Sequence, residues 1–210
     1  SGVIRYASDL FPNSTVLMLR EAQILANSGH AERALPRLRN LLAFEPQNEE
    51  IHLSLAAIYM HANNHHKSIH HLNEALATAD DAIKDDIFID LALEYENLSR
   101  FDKAITVLKK ALHLNPQNET AIHELAFCFE MNGQVDQCID YYNRFIDLHP
   151  YSYISWYNLG NAFMKLNRSK EALNAFEYCL VIDEEFVDDV VSKLHHELFS
   201  NAESFPEIFE

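Results

Sequence analysis

The residue type with the clearest capacity for metal chemistry is histidine, of which the chain has twelve, several of them within the stretch HANNHHKSIHH. His61 and His65, like His66 and His70, are four residues apart. This spacing places two imidazoles on one face of a helix, where they could share a zinc ion. No cysteine or acidic residue is interleaved with them, however, and Lys67 puts a cation in the middle. The stretch therefore favours an exposed polar turn over a metal site, and we predict no metal or cofactor.

Catalytic motifs are missing from the sequence. There is no glycine-rich phosphate loop, no nucleophile elbow and no HExxH motif, and no acidic pair has a spacing that would impose a catalytic pocket. Asp188 and Asp189, for example, are adjacent and therefore point to different faces of a helix. The sequence thus predicts a protein that is not an enzyme. A metal-dependent activity at the histidine stretch is the alternative that calorimetry with zinc would test.

The three cysteines, Cys128, Cys138 and Cys179, lie inside apolar helical stretches of a chain that is large enough not to need disulfides. We expect them to be reduced residues of the core. A redox pair between Cys128 and Cys138 is the alternative, and it would need facing helices with a Cα separation under about 7 Å. Unpaired cysteines and the absence of an apparent signal peptide favour a cytoplasmic protein.

Composition and charge limit both the fold class and the partners. The chain of 210 residues is 48% hydrophobic and has a formal net charge of −16, which argues against nucleic acid and anionic membrane surfaces as partners. No window approaches the roughly 18 apolar residues of a membrane span. With only four glycines and six prolines, the composition indicates an all-helical fold.

A repeat of 34 residues organises most of the chain. Prolines that follow apolar helical stretches stand at Pro12, Pro46, Pro116 and Pro150, with separations of 34, 70 and 34 residues. The middle separation corresponds to one period of 34 and one of 36, and such spacing indicates tandem repeats. We therefore predict five units, which begin near Thr15, Glu49, Asp85, Glu119 and Tyr153.

Each unit divides into two helices at a tight turn. The fifteenth residue of the unit is of a type that tolerates left-handed geometry or bonds the local backbone: Gly29, Asn63, Ser99, Gly133 or Asn167. Positions eight and twenty carry only small residues, which would let the two helices approach closely. These are Ala22, Ala56, Ala92, Ala126 and Gly160 at position eight, and Ala34, Ser68, Ala104, Cys138 and Ala172 at position twenty.

This pattern resembles the tetratricopeptide repeat (TPR), and the last unit follows that family's consensus at Trp156, Leu159, Gly160, Phe163, Ala172 and Phe176. The resemblance implies an all-α, right-handed α-solenoid of helix-turn-helix repeats. It covers residues 15–184. The two extra residues between Asp80 and Asp85 should lengthen a helix or a connection.

The repeat pattern also predicts how the chain is divided. We expect five units at 15–48, 49–84, 85–118, 119–152 and 153–184, preceded by the end of an upstream repeat or a cap helix at 1–14. A C-terminal capping helix is expected at 185–200 because it continues the helical spacing of apolar residues. An acidic tail follows at 201–210.

In TPR proteins the first helices of successive units line a concave groove, so the resemblance implies that groove positions two, five, six, nine and twelve contact a partner. Their carboxylates would attract a basic segment, and their apolar residues would offer area to an amphipathic one. The predicted contact residues are Leu53, Met60, Asp86, Ile89, Asp90, Leu93, Glu96, His123, Glu124, Phe127, Glu130, Tyr157, Asn158 and Asn161. The alternative is that these acids only keep an exposed face soluble.

One TPR subclass grips a C-terminal carboxylate with lysine or arginine and asparagine. Asn158 and Asn161 match the asparagines, but the cations are missing from neighbouring units, so we do not expect this clamp. The sequence predicts a non-enzymatic scaffold that binds another protein through a basic or amphipathic segment, without nucleic acid and without direct membrane insertion. The alternative is a structural segment that self-associates through its terminal helices.

Overall fold

The computed structural model describes residues 14–200, with side chains through residue 193. The predicted segment at 1–14, apart from Ser14, and the predicted tail at 201–210 lie outside this range. Within it the fold consists of eleven α-helices and a short 3-10 helix, and it contains no strand. No helix in this part of the chain is long and apolar enough to cross a membrane. The helices are α1 (Thr15–Asn27), α2 (Ala31–Phe44), α3 (Glu49–His61), α4 (His65–Thr78), α5 (Asp81–Asn97), α6 (Phe101–Leu114), α7 (Glu119–Met131), α8 (Val135–Leu148), α9 (Tyr153–Lys165), α10 (Ser169–Ile182), the 3-10 helix (Glu184–Phe186) and α11 (Val187–Ser200).

The tight turn between paired helices has the same geometry in every repeat. The fifteenth residue of each repeat lies in this turn and has left-handed backbone geometry, which glycine, asparagine and a few other residues tolerate. The residue after it donates its backbone N–H to the carbonyl five positions earlier, for example from His30 to Leu25 at 2.9 Å. The predicted turn residues are therefore confirmed, with φ values of 77° at Gly29, 52° at Asn63, 54° at Ser99, 74° at Gly133 and 57° at Asn167.

The predicted small residues lie where two paired helices approach closely. All ten are buried in the structure. The tightest case is Gly160, where a Cβ atom would lie 2.5 Å from Cε1 of Phe176, whose ring is itself fully buried. A side chain at this position would force the ring to move, so the close approach of α9 and α10 depends on glycine.

The longer period of the third repeat has a structural counterpart in α5. This helix has 17 residues, whereas the first helices of the other four repeats have 13 each. It begins at Asp81, four residues before the predicted start of the third unit at Asp85. The prediction of a lengthened helix is confirmed, because the inserted residues and their neighbours continue the helix at its N-terminus.

The described part of the chain divides between Ala121 and Ile122 into two compact units, which are called the first and second unit below and each of which contains more than one repeat. In the first unit, buried clusters around Leu38 and Leu72 join each repeat to the next. In the second unit, the 3-10 helix leads into the predicted capping helix α11, and Phe186 packs beside Tyr153 with ring centroids 5.1 Å apart. The fold class predicted from the sequence is confirmed.

The cysteines lie in the core of the second unit. Cys128, Cys138 and Cys179 are all buried, and none of the three is in a disulfide. Burial, and then the charge of Glu130, raises the pKa of the Cys138 thiol to about 12, which makes it a poor nucleophile. The expectation of reduced core cysteines is confirmed.

Candidate functional site

The acidic residues of α5 form the most concentrated charge among the predicted contact positions of the first unit. Asp86 and Asp90 are four residues apart, and Glu94 follows after four more, so all three share one face of the helix. Asp86 is exposed, Asp90 is half-buried, and Glu94 is only 2% exposed. The carboxylates thus run from the surface into the interior along a single helix.

Asp90 carries a charge that its surroundings do not compensate. Within the described residues no hydrogen bond or ion pair engages its carboxylate, and its nearest charged neighbours on the helix are acidic. Burial, followed by the charges of Asp86 and Glu94, raises the pKa of the Asp90 carboxyl to about 6. Ionised Asp90 is therefore held at a cost in free energy that a bound cation would relieve.

Glu94, in contrast, has a partner from the preceding repeat. The Nδ1 atom of His65, at the start of α4, lies 3.3 Å from its Oε2 atom. The sequence analysis does not place Glu94 in a site, although its four-residue spacing from Asp90 is a readable signal, and it considers His65 only as a zinc ligand. The contact with His65 depends on the packing of α4 against α5 and has no local signal.

Asp85 shows how the same helix accommodates a carboxylate that is structural. Its Oδ2 atom accepts hydrogen bonds from Nδ2 of Asn115 at 3.0 Å and of Asn118 at 3.1 Å. Burial acts to raise the pKa of this carboxyl, but the hydrogen bonds from the two amides and from backbone N–H groups together outweigh burial, and the pKa is lowered. Asp85 therefore ties α5 to the loop after α6, whereas Asp90 has no comparable support.

The apolar part of the predicted contact set in the first unit is only partly accessible. Leu53, Met60 and Leu93 are half-buried, and Leu53 packs against a core cluster. Ile89 is 7% exposed and serves the core, which leaves it little surface for a partner. Glu96 is half-buried at the C-terminal end of α5. The accessible surface of this unit is thus an acidic row with partly exposed apolar residues beside it.

The two acids among the predicted contact residues of the second unit, Glu124 and Glu130, contact other side chains of the chain. Nδ1 of His123 lies 3.5 Å from Glu124. Glu130 accepts a hydrogen bond at 2.8 Å from the hydroxyl of Tyr142 and pairs at 2.7 Å with Nζ of Lys165. Burial and the Glu130 charge raise the pKa of the Tyr142 hydroxyl, which stays a hydrogen-bond donor at all ordinary pH values.

The capping helix α11 contacts the predicted residues of the last repeat. Lys193 donates to Oδ1 of Asn161 at 2.9 Å and also bonds the hydroxyl of Tyr157, which in turn bonds Asp189. The ammonium of Lys193 lies 4.3 Å from the centroid of the Tyr157 ring. The side chains of Tyr157 and Asn161 are therefore bonded to α11. The third predicted contact residue on α9, Asn158, is half-buried. On α7 of the same unit, the ring of Phe127 is 36% exposed.

The histidines of the polar stretch lie at a helix pair in the first unit. His61 ends α3, while His65, His66 and His70 lie on α4, where His70 faces Glu74 at 3.9 Å. Among the residues that the structure describes, no group of three or more histidine, cysteine or acidic side chains is placed to hold a metal ion.

A histidine pair that the sequence does not single out joins α3 to α4. Nε2 of His52 lies 3.0 Å from the carbonyl oxygen of Pro46, and its Nδ1 lies 3.0 Å from Nδ1 of His71. Because the carbonyl can only accept, His52 donates through Nε2 and accepts from His71 through Nδ1. Burial, and then His52, lowers the pKa of His71 to about 4, so the His71 ring is neutral at physiological pH.

Two family models match this chain. The model described as "Tetratricopeptide repeat" matches residues 25–85. The model described as "Anaphase-promoting complex, cyclosome, subunit 3" matches residues 97–179.

Curated relatives align over most of this chain. The human protein O-mannosyl-transferase TMTC1 is 26% identical over 173 residues, which are 81% of this chain and 19% of the relative. The peroxisomal targeting signal receptor of Kluyveromyces lactis is 24% identical over 154 residues, which are 71% of this chain and 26% of the receptor. The chain thus spans about a fifth to a quarter of the length of these relatives.

Solved structures show the same fold. YrrB, described as a TPR protein with an unusual peptide-binding site, superposes with a TM-score of 0.79 at 17% identity, covering 90% of this chain and 97% of that one. A structure of MamA protein has a TM-score of 0.75 at 21% identity, covering 83% of this chain and 94% of that one.

Paired helices, left-handed turn residues and small residues between the helices define a helical repeat protein, a class that offers extended surfaces for binding. The chain contains tetratricopeptide repeats and has the fold of tetratricopeptide-repeat proteins. Its architecture is that of a protein–protein interaction scaffold.

Proposed function

We propose that this chain is a non-enzymatic scaffold that binds a basic or amphipathic segment of a partner protein. The proposed contact surface in the first unit, which we name the α5 acidic face, comprises Asp86 and Asp90 with the neighbouring Leu93, and the buried Glu94 lies behind them. The observation that carries the proposal is the half-buried carboxylate of Asp90, which lies beside two acids and whose pKa is raised to about 6. A lysine or arginine of a partner would supply the missing positive charge.

Apolar residues on the first helices give the segment a second kind of contact. Leu53, Met60 and Leu93 are half-buried and combine apolar area with the adaptable side chain of methionine. An amphipathic helix or an extended peptide could place apolar residues here and basic residues on the α5 acidic face. The description of YrrB as a TPR protein with a peptide-binding site is consistent with this mode of binding.

We propose that the second unit attracts the basic segment less strongly than the α5 acidic face does. Glu130 is already paired with Lys165 and bonded to Tyr142, and Glu124 faces His123. Phe127 supplies exposed aromatic area instead. The contact residues predicted on α9, Tyr157 and Asn161 among them, would have to give up bonds to α11 in order to reach a partner.

The test is the binding of a fluorescein-labelled amphipathic peptide rich in lysine, measured by fluorescence anisotropy. The double variant Asp86→Lys, Asp90→Lys should bind at least about tenfold more weakly at about 50 mM salt, and the loss should shrink at about 300 mM salt because the interaction is electrostatic. Capture from a lysate with the same protein and variant, followed by mass spectrometry, would then identify the natural partner.

The matched control is Asp140→Lys, Asp147→Lys, which changes the net charge by the same amount at two exposed positions of the second helix α8. It should leave the affinity within about twofold of wild type. Equal weakening by both double variants would mean that the peptide senses only net charge. Unchanged affinity in Asp86→Lys, Asp90→Lys would contradict the proposed surface.

A second candidate function, self-association through the terminal helices, is favoured by apolar exposure at the first helix pair. Val16 is 67% exposed and Phe44 is 80% exposed, and Phe44 helps to line a cavity of about 540 Å³. Light scattering over a concentration series tests this candidate. A mass that rises with concentration in the wild type, but not in Val16→Lys, Phe44→Lys, would support it, and a constant monomer mass would refute it.

A further inference from the structure

The face of α9 that carries predicted contact residues holds a lysine side chain of the chain itself. Nζ of Lys193, on the capping helix α11, donates to Oδ1 of Asn161 at 2.9 Å and lies 4.3 Å from the centroid of the Tyr157 ring. It also bonds the Tyr157 hydroxyl and pairs with the carboxylate of Asp189 at 3.8 Å. We name Tyr157, Asn161 and Asp189 together the α9 ammonium site.

The groups of the α9 ammonium site are those that recognise a lysine from any source. The carboxylate of Asp189 supplies the opposite charge, the ring of Tyr157 attracts a cation, and the amide oxygen of Asn161 accepts one of the three N–H groups of an ammonium. Asp189 also accepts a hydrogen bond from the Tyr157 hydroxyl, which orients that ring beside the ammonium. The chemistry of the site therefore does not depend on Lys193 being the lysine that fills it.

The ammonium of Lys193 can leave this site at a low cost in free energy. The side chains of Lys193 and Asp189 are 39% and 56% exposed, so water solvates both charges when they separate. The other lysine at a predicted contact position of this unit differs in this respect. Lys165 pairs with Glu130, which is only 15% exposed and also accepts the hydrogen bond of the buried Tyr142 hydroxyl. The contact of Lys193 is thus the more readily exchanged of the two.

The attachment of the capping helix does not depend on Lys193 alone. Val190 of α11 is 1% exposed, so its side chain is buried against the rest of the second unit. Phe186, just before α11, lies with its ring centroid 5.1 Å from that of Tyr153 and 5.3 Å from that of Tyr157. These apolar contacts hold α11 in place when the Lys193 side chain turns out to solvent.

An exposed apolar side chain lies on the same face of α9. Ile154 is 46% exposed, and at 3.6 residues per turn it lies within about 60° around the helix axis of both Tyr157 and Asn161. A segment that places a lysine in the α9 ammonium site could therefore set an apolar side chain against Ile154. This combination of one lysine and one apolar side chain is what an amphipathic segment offers.

We propose that the α9 ammonium site binds a lysine of the partner's amphipathic segment, and that Lys193 is an internal competitor for this site. The inference rests on the proposed function, because it names the basic group that the second unit recognises. The partner's lysine takes the place of Lys193 on Asn161 and Tyr157. An internal ligand that fills a site nine-tenths of the time lowers the apparent affinity about tenfold, so Lys193 weakens binding to the second unit.

The test uses the fluorescein-labelled, lysine-rich amphipathic peptide, titrated with the full chain at about 50 mM salt and followed by anisotropy. Lys193→Ala should raise the affinity at least about fivefold, because the site loses its internal competitor. Adding Asn161→Ala to that variant should remove most of the gain, since the peptide's lysine needs the same amide oxygen. Lys193→Gln is neutral but keeps a long side chain, and it should raise the affinity even if Lys193→Ala loosens α11.

The matched control is Arg168→Ala, at the tight turn before α10. Arg168 pairs with the carboxylate of Glu171 at 3.0 Å and lies 4.6 Å from the centroid of the Phe163 ring, so its removal also frees one acid and one aromatic ring. It should change the affinity by less than about twofold. An equal gain in Arg168→Ala, or no gain in both Lys193→Ala and Lys193→Gln, would overturn the proposal.

Two further measurements separate the α9 ammonium site from the α5 acidic face and from a contact between copies of the chain. The gain from Lys193→Ala should persist when Asp86→Lys, Asp90→Lys is also present. Loss of the gain in that background would overturn the α9 ammonium site, whereas unchanged affinity in Asp86→Lys, Asp90→Lys alone would contradict only the α5 acidic face. Self-association of Lys193→Ala in light scattering would assign the site to a second copy and overturn the assignment to a partner.

Discussion

Both compact units carry acids at predicted contact positions of their first helices, but the surroundings of those acids differ. In the first unit Asp90 lies beside Asp86 and Glu94 and has a raised pKa. In the second unit Glu130 binds a tyrosine hydroxyl and an ammonium group. The same residue class at the same kind of position is thus an open charge in one unit and a structural link in the other. The difference teaches that repeat position alone does not identify a contact residue.

The largest effect should follow from breaking the structural link in the second unit. Glu130→Ala should lower the free energy of unfolding by about 2 kcal/mol, because the buried Tyr142 hydroxyl loses its acceptor. Lys165→Ala should cost only about 0.5 kcal/mol, since that side chain is 50% exposed. Urea unfolding followed by the fluorescence of the single tryptophan, Trp156, reports on this unit. Equal losses of unfolding free energy in Glu130→Ala and Lys165→Ala would show that the salt bridge, and not the hydrogen bond from Tyr142, supplies the stability.

A smaller effect of opposite sign is expected at Asp90. The folded pKa of about 6 lies above the ordinary value of 3.8, so ionisation destabilises the folded state at neutral pH. Asp90→Asn should therefore raise the free energy of unfolding by about 1 kcal/mol near pH 7.5, after allowance for solvent screening. Its advantage should shrink as the pH falls through 6 towards 3.8, where wild-type Asp90 becomes protonated in both states. Urea unfolding followed by circular dichroism at several pH values measures this difference.

The corresponding substitution Glu130→Gln is the comparison for Asp90→Asn. Glu130 is stabilised by its partners, so this substitution should not raise stability at any pH. If Asp90→Asn were destabilising at neutral pH, Asp90 would have a structural role and the contrast between the two units would fail.

The smallest effect concerns the His52–His71 pair of the first unit. The pKa of His71 in the folded state is about 4, below the ordinary value of 6.5, so folding favours the neutral ring. Stability from this group is present above pH 6.5 and is lost as the pH falls towards 4. His71→Phe should reduce that loss by roughly 0.5 kcal/mol, as measured by urea unfolding at both pH values. His66→Phe, at an exposed position of the same helix, should leave the pH dependence unchanged.

Features that repeat along the chain can be read from the sequence. The left-handed residues at the tight turns, such as Gly29 and Asn63, follow from local backbone preference, and the small residues between helices follow from matched positions. The longer period of the third repeat is also visible, although the repeat spacing predicts a start at Asp85 and α5 begins at Asp81. The start of this helix is hard to locate from the sequence because the residues before and after Asp85 both favour helix.

Features that depend on which side chains meet across repeats cannot be read from the sequence. The pair between Glu130 and Lys165 joins residues 35 positions apart, and Lys193 reaches Asn161 from the capping helix. Asn115 and Asn118 likewise donate to Asp85 across 30 and 33 positions.

The sequence by itself therefore determined the repeat, its turns and its internal packing, because these obey local periodicity and are restated in every unit. The tertiary structure decided which acids remain open and which are neutralised. Neutralisation requires an opposite charge or a donor from another helix, and only the packed fold brings those groups within bonding distance.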